Sequence, residues 1–152
     1  MLQCLSLSEF VIVPHLSLEL GPGFTALTGE TGAGKSILID ALQLLLGARA
    51  DTVVIREGAP KTEISAIFSS SKRLERWLAQ NGFDSDKELL LRRTLDSSGR
   101  SRAWINGSPA TAAQMRALGE RLVDIHGQHS NQSLLKPQEQ LRLLDAHGEI
   151  LD

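Results

Sequence analysis

The sequence contains very little cysteine and few aromatic residues. Its 152 residues include one cysteine, Cys4, and only 4% of them are aromatic. A single cysteine cannot form a disulfide within the chain, and Cys4 lies in a predicted strand, so we interpret it as a small buried hydrophobe. The scarcity of aromatic residues argues against a surface that stacks nucleic-acid bases. Trp77 and Trp104 are therefore predicted to serve in packing.

The sequence also lacks a charge excess and a long apolar run. The formal net charge is -2, so contact with nucleic acid would require a local basic patch. No apolar run approaches the roughly 20 residues that a membrane span requires. Residues 1–5 show no basic segment followed by an apolar stretch, which is how a secretory signal begins. These features predict a cytoplasmic protein with no membrane partner and one domain with a real core.

One segment carries recognisable chemistry, because residues 29–36 match the phosphate-loop pattern G-x-x-x-x-G-K-[ST] at every position. Glycines allow the backbone to direct several N–H groups at one phosphate chain. Lys35 supplies a charge for the β- and γ-phosphates of a nucleotide, and Ser36 supplies a hydroxyl for Mg²⁺. The predicted cofactor-binding residues are consecutive: Gly29, Glu30, Thr31, Gly32, Ala33, Gly34, Lys35, Ser36 and Ile37.

The flanks of this segment support a genuine phosphate loop. A turn at Gly21–Gly23 precedes a predicted short strand at Phe24–Thr28. The loop then opens a predicted helix, Ser36–Leu46, which is apolar almost all round and is therefore expected to be buried. Strand, loop and helix stand in the order that phosphate binding requires, with the helix N-terminus toward the anion. The alternative is a glycine-rich turn with an incidental Lys-Ser.

The early part of the chain is predicted to be β-rich before and after this one buried helix, without the clean strand-helix alternation of a small nucleoside kinase. Thr111 is expected to cap a helix, and Asn106-Gly107 is typical of a tight turn. The predicted strands are Leu2–Leu7, Val11–Leu20, Thr52–Ile55, Glu63–Phe68, the hairpin pair Glu88–Leu95 and Arg102–Ile105, and Leu122–Ile125. The predicted helices are Ser71–Asn81, Ala112–Arg121 and Pro137–Leu151.

The second acidic element of a phosphate-loop hydrolase is missing from this pattern. Such enzymes use an Asp at the end of an apolar strand to help hold Mg²⁺. Asp124 follows only a few apolar residues, whereas Asp40 and Asp145 lie on predicted helices. The chain therefore holds half of a nucleotide site. A self-contained small kinase or NTPase and a non-hydrolysing nucleotide-binding module both stay open as alternatives.

Two further groups of residues can each be interpreted as a functional site or as ordinary surface structure. His126, His129 and His147 suggest a zinc site, but no cysteine or acidic cluster accompanies them, so loop polarity or a contact at a protein–protein interface is favoured. Four arginines lie on the predicted hairpin, and its outer face is either a solvated surface or a contact for a DNA backbone. These arginines are Arg92, Arg93, Arg100 and Arg102.

Several segments together resemble the RecN family of bacterial DNA-repair ATPases, which is related to SMC proteins. The phosphate loop in its Gly-Glu-Thr-Gly-Ala-Gly-Lys-Ser form and the His-Gly-Gln-His sequence are the most specific features. The resemblance covers essentially the whole chain and is carried by Leu5–Val13, Gly23–Leu42, Leu46–Ala50, Ser101–Gly107 and Asp124–His129.

The resemblance implies an α/β fold, specifically the N-terminal lobe of an ABC-type phosphate-loop ATPase head with a mixed sheet around a buried phosphate-loop helix. This lobe would span residues 1–135, and residues 136–152 would form a helix leading toward a coiled coil. The family's signature motif and catalytic Glu lie in a C-terminal lobe. Gln128 matches the family's Q-loop glutamine, which contacts Mg²⁺ and the attacking water, with Gln132 as the second choice.

The same resemblance implies a role in DNA double-strand-break repair and recombination. Two heads would enclose two ATP molecules, so the expected partners are the C-terminal lobe, a second head and DNA. Arg49 or Arg56 would be the basic residue near the nucleotide or the DNA. The expected cofactors are ATP and Mg²⁺, and the expected location is the cytoplasm, in association with the nucleoid.

Overall fold

The computed structural model describes residues 1–26, 28 and 33–123. The chain divides into two compact units, Met1–Gly119 and Glu120–Asp152, and the architecture below is that of the first. The predicted boundary between residues 135 and 136 lies outside the described residues. So do the predicted helix Pro137–Leu151 and the second half of the predicted strand Leu122–Ile125, whose first residue instead ends a helix.

Six strands form one sheet in the order β2-β1-β3-β4-β5-β6. Every pairing among them is antiparallel, so any parallel pairing of the expected mixed sheet would lie beyond these six described strands. Most neighbours in the sheet are also neighbours in sequence, as is usual when tight turns join strands. The strands are β1 Leu2–Phe10, β2 Val13–Glu19, β3 Lys61–Ser69, β4 Glu88–Asp96, β5 Ser101–Ile105 and β6 Ser108–Ala110.

Within the described residues, three α-helices accompany the sheet: α1 Ala33–Leu45, α2 Lys72–Gln80 and α3 Ala112–Leu122. Ser71 caps α2, because its Oγ accepts from the backbone N–H of Leu74 at 3.3 Å. Thr111 and Gln114 form a reciprocal capping box at the start of α3: Thr111 Oγ1 accepts from the Gln114 N–H at 3.1 Å, and Gln114 Oε1 accepts from the Thr111 N–H at 2.9 Å.

The core lies on one face of the sheet. Alternate strand residues point inward, which gives β3 and β4 the half-buried pattern of an antiparallel sheet. Leucine and isoleucine dominate the inward positions, and the helices add their own apolar sides. Buried core residues include Leu5, Leu7, Ile64, Phe68, Leu89, Leu91, Ile105, Ala41, Leu45, Leu78, Met115 and Leu118.

Most local predictions are confirmed, including the α/β class. The hairpin of β4 and β5 forms in antiparallel register, and Asn106 and Gly107 take φ values of 47° and 83°, as a two-residue hairpin turn demands. The predicted helix Ser71–Asn81 is found with both end residues as caps. The first two strands are also present, with bounds that differ by a few residues.

Two predictions on either side of α1 are wrong or incomplete. Residues 24–26 and 28 are not in a strand, and Phe24 is 96% exposed, because this segment pairs with no other described strand. Thr52–Val54 is a 3₁₀ turn rather than a strand, since the Asp51 carboxylate accepts from the Val53 N–H at 3.1 Å and closes it. Only Ile55, in a bridge to Phe10, keeps β geometry there.

Helix α1 is buried along one side only. Ile37, Ala41, Leu44 and Leu45 face the core, whereas Ile39 is 45% exposed. The described sheet therefore covers only part of the apolar surface of this helix.

Candidate nucleotide-binding site

The second half of the phosphate-loop motif forms the first turn of α1. Helix α1 begins at Ala33, so Gly34, Lys35, Ser36 and Ile37 follow within that turn. No acidic residue occupies it. The positive end of the helix dipole is thus not neutralised locally, which favours an anion at this end. Gly29, Glu30, Thr31 and Gly32, together with the side chain of Lys35, lie outside the described part of the chain.

The described side chains of this turn divide between solvent and core. Ser36 is exposed, which leaves its hydroxyl accessible to a metal ion. Gly34 is exposed too, and a Cβ built there meets nothing within 4 Å. Ile37 is only 5% exposed, so its side chain anchors the helix in the core and only its backbone is available to a nucleotide.

An arginine of β4, Arg93, binds the C-terminal end of α1. Arg93 was expected on the outer face of the hairpin, but it is 5% exposed and points into the core. Its Nη1 donates to the carbonyl oxygens of Leu44 and, at 2.7 Å, Ala48, while Nε donates to Ser101 Oγ at 3.0 Å. The alternation of β4 carries the signal for this placement, because Leu91 and Leu95 share the inward face with Arg93.

A second arginine reaches the same helix end from α3. Arg116 Nη2 donates to the carbonyl oxygen of Gly47 at 3.1 Å. Burial lowers the pKa of Arg93 from its ordinary value, and the nearby positive charge of Arg116 lowers it further. Two cations therefore converge on the negative end of the α1 dipole.

Close backbone contact accompanies these bonds. Gly47 has a φ of 97°, and a Cβ there would lie 2.7 Å from the backbone nitrogen of Arg116 and 2.8 Å from the carbonyl oxygen of Ala112. A Cβ at Gly119 would lie 2.9 Å from Leu46 Cβ. Both glycines allow α1 and α3 to approach more closely than any side chain would permit.

The outer face of the hairpin is basic only in part. The Arg92 guanidinium lies 4.2 Å from the centre of the Trp104 ring, and these two residues line a cavity of about 300 Å³ with Leu90 and Gly107. Arg100 and Arg102 are exposed, as predicted. Trp77 packs near Phe83, with ring centres 6.4 Å apart.

The two arginines expected near nucleotide or DNA differ in their contacts. Arg56 Nη1 forms an ion pair with Glu9 Oε2 at 3.1 Å, and its backbone N–H donates to the Glu9 carbonyl oxygen at 2.9 Å. Arg49 is exposed, and no ion pair joins it to another described residue. The choice between Arg49 and Arg56 stays a prediction.

Several predicted site residues are not tested by the structure. Asp40 is exposed on α1. The remaining candidates lie outside the described residues: Asp124, His126, Gln128, His129, Gln132, Asp145 and His147. Among the helices of residues 33–123, none is long and apolar enough to cross a membrane.

A comparison with protein families places the chain. A family model described as an AAA domain matches residues 4–151. The chain belongs to the AAA domain family. Among curated relatives of this AAA domain is the DNA repair protein RecN of Vibrio cholerae, which is 49% identical over 156 residues. That match covers 99% of the chain but 28% of the relative, so the chain spans little more than a quarter of the relative's length. The resemblance to the RecN family is confirmed.

Solved structures of SMC proteins are similar in fold to this chain. A chain from work on the ATP-driven dimerization and DNA-stimulated activation of SMC ATPases has a TM-score of 0.68 at 24% identity, covering 95% of this chain and 97% of that one. An Smc head bound to the C-winged helix domain of ScpA has a TM-score of 0.66 at 25% identity, covering 77% and 39%. The fold is that of the N-terminal lobe of an ABC/SMC-type head, as predicted.

Proposed function

We propose that this chain is the ATP-binding half of an SMC-like ATPase head that acts in DNA double-strand-break repair and recombination. The observation that carries the proposal is the phosphate-loop motif at the start of α1, in a chain that is 49% identical to a RecN protein. The open first turn, without an acidic residue and with Ser36 exposed, is chemically suited to a phosphate and its metal ion.

In the proposed site, the backbone N–H groups of residues 29–34 hold the phosphate chain of ATP. Lys35 neutralises the β- and γ-phosphates, and Ser36 and Gln128 ligate Mg²⁺. Lys35 and Gln128 act on the reacting groups, because the first stabilises charge and the second orients water. The exposed position of Ser36 supports the metal assignment, and the Gln128 role comes from the family resemblance alone.

We infer that hydrolysis needs a C-terminal lobe that completes the head. The chain spans 28% of the Vibrio cholerae relative, and its motifs supply no second acidic element after an apolar strand. ATP shared between two heads would stabilise their association, since a ligand bound only by the dimer favours it by mass action. The proposed partners are therefore the C-terminal lobe, a second head and DNA, in the cytoplasm and at the nucleoid.

A self-contained small kinase is not favoured. RecN proteins and SMC or RecF heads supply the relatives and structural neighbours. A kinase would turn over ATP with this chain alone and would need a phosphoryl acceptor. Turnover by the isolated chain therefore separates the two functions.

The decisive experiment measures MgATP binding and hydrolysis by this chain, with Lys35→Ala as the control. Loss of a hydrogen bond to a charged group costs about 2–3 kcal/mol, so affinity should fall about 30- to 150-fold. Binding without turnover supports a half-site. Unchanged affinity in Lys35→Ala would remove the loop assignment, and Lys35-dependent turnover would favour the kinase.

A further inference from the structure

The C-terminal end of α1 is gripped by two arginines from two different elements, which we call the arginine clamp (Arg93 and Arg116). Arg93 comes from β4 and donates to the carbonyl oxygens of Leu44 and Ala48. Arg116 comes from α3 and donates to the carbonyl oxygen of Gly47. The helix that begins at the phosphate loop is thus fixed at its far end to both the sheet and α3.

Core filling does not explain Arg93. The neighbouring inward residues of β4 are Leu89, Leu91 and Leu95, and Arg93 has no carboxylate partner among the described residues. A buried charge without an anion is generally less stable than an apolar residue of similar volume. Its partners are carbonyl oxygens and one hydroxyl, which are the groups that a helix terminus and a strand offer. The arginine therefore serves the position of α1.

The clamp leaves α1 little freedom to shift. Gly47 and Gly119 already place α1 and α3 at backbone contact, so a displaced helix would collide with α3 or lose its bonds. Helix α1 has 13 residues, and such a rod spans about 20 Å. A rigid helix transmits a shift or tilt at one end to the other, where the phosphate loop begins.

We propose that Arg93 and Arg116 are positioning residues for the nucleotide site, which hold the C-terminal end of α1 so that the phosphate loop is set in place for ATP. This inference rests on the proposed ATP-binding function. Both side chains bind at the C-terminal end of α1, away from the phosphate loop, so their effect on ATP would pass through the helix.

The test compares ATP affinity in the full-length protein for Arg93→Met, Arg93→Lys and Arg116→Met. A fluorescent ATP analogue with Mg²⁺ reports the Kd, and urea unfolding reports stability. Arg93→Met should weaken binding at least tenfold, because it removes the donors while still filling the space of the aliphatic part of the side chain. Arg93→Lys should bind ATP more tightly than Arg93→Met, since Nζ retains the charge and can donate to a helix carbonyl, but less tightly than the natural protein, because one ammonium cannot replace the guanidinium that also reaches Ser101.

A matched control separates positioning from stability alone. Leu78 is fully buried in α2, and Leu78→Ala should clearly lower the urea midpoint of unfolding, because it leaves a cavity in the core, while changing the Kd less than twofold. Binding is measured where circular dichroism shows every variant folded. If Arg93→Met bound ATP as tightly as Leu78→Ala does, the proposal would be overturned.

Two further comparisons keep the test decisive. If Arg93→Met does not fold, Arg116→Met carries the comparison, and a Kd change no larger than that of Leu78→Ala overturns the clamp. Lys35→Ala separates the clamp from the proposed function. Loss of binding in Lys35→Ala with normal binding in both clamp variants rejects the clamp only, whereas normal binding in Lys35→Ala rejects the nucleotide site.

Discussion

The two ends of α1 differ in how their backbone groups are satisfied. At the C-terminal end, side chains of Arg93 and Arg116 occupy the carbonyl oxygens of three residues, and the Gly47 backbone touches α3. At the N-terminal end, Gly34 and Ser36 are exposed and the first turn contains no acidic residue. The C-terminal pole of the helix is therefore bound by the protein's own side chains, whereas the described N-terminal residues lie open to solvent, as the proposed phosphate site requires.

This contrast has an energetic reason. Orphan carbonyl oxygens at a helix end need partners, as do orphan N–H groups at the start. If both ends were satisfied internally, an incoming phosphate would have to displace existing bonds. If neither end were satisfied internally, packing alone would stabilise the helix. Fixing only the C-terminal end would stabilise the helix and leave its N-terminal donors available for the proposed phosphate.

The largest expected effect is on stability, and it comes from adding a side chain where Gly47 contacts α3. Gly47→Ala adds a Cβ at 2.7 Å from the Arg116 nitrogen, at a φ of 97° that strains any L-residue. We expect a loss of about 3 kcal/mol or more in the free energy of unfolding, from strain and backbone collision together. Urea denaturation of natural and variant protein measures it.

Gly58→Ala is the matched control, because Gly58 also has a positive φ of 82° but nothing within 4 Å of its Cβ position. Its cost should be that of the left-handed backbone alone, about 1–2 kcal/mol. Equal losses in the two variants would contradict the close contact between α1 and α3.

A smaller effect is expected at the open end. Ser36→Ala removes the hydroxyl proposed for Mg²⁺ and should weaken MgATP binding by about 1–1.5 kcal/mol, roughly five- to tenfold. Because Ser36 is exposed, stability should change little. Titration of ATP with and without Mg²⁺ measures the effect, which should appear only with the metal. An equal loss without Mg²⁺ would place the hydroxyl on the phosphates instead.

Local chemistry made the hairpin and α2 predictable from sequence. The Asn106-Gly107 turn and the Ser71 cap each depend on residues a few positions apart, and both are present in the structure. The inward turn of Arg93 was predictable in principle from the spacing of Leu91 and Leu95, but its charge favoured the solvent side.

Long-range features were not accessible in the same way. The strand predicted at Phe24–Thr28 depends on partners that no local pattern identifies, and its described residues pair with no other described strand. The contact between Gly47 and α3 joins residues almost 70 positions apart, since Arg116 donates to Gly47 across a separation of 69. A motif can therefore indicate the open end of α1, while only the fold reveals how the other end is held.

The smallest expected effect is on the stability of the protein at acidic pH. It tests which groups balance the charge at the C-terminal end of α1. In the turn after β4, Asp96 Oδ1 accepts from Ser98 Oγ at 2.5 Å and from the backbone N–H groups of Ser98 and Arg100 at 3.0 Å each. The Ser98 hydroxyl, followed by the Arg100 N–H, lowers the pKa of Asp96 below its ordinary value. This turn touches neither end of α1 through those bonds.

A lowered carboxyl pKa contributes stability above the unfolded-state value of about 3.9, and that contribution is lost as the pH falls through the folded-state pKa. Asp96→Asn should therefore flatten part of the decline in unfolding free energy below about pH 4. Arg93→Met should leave the slope in this range unchanged, since an arginine does not titrate there. Urea unfolding from pH 2 to 7 compares the three proteins. A slope altered by Arg93→Met would mean that an acidic group, and not the helix carbonyls alone, balances the charge at the C-terminal end of α1.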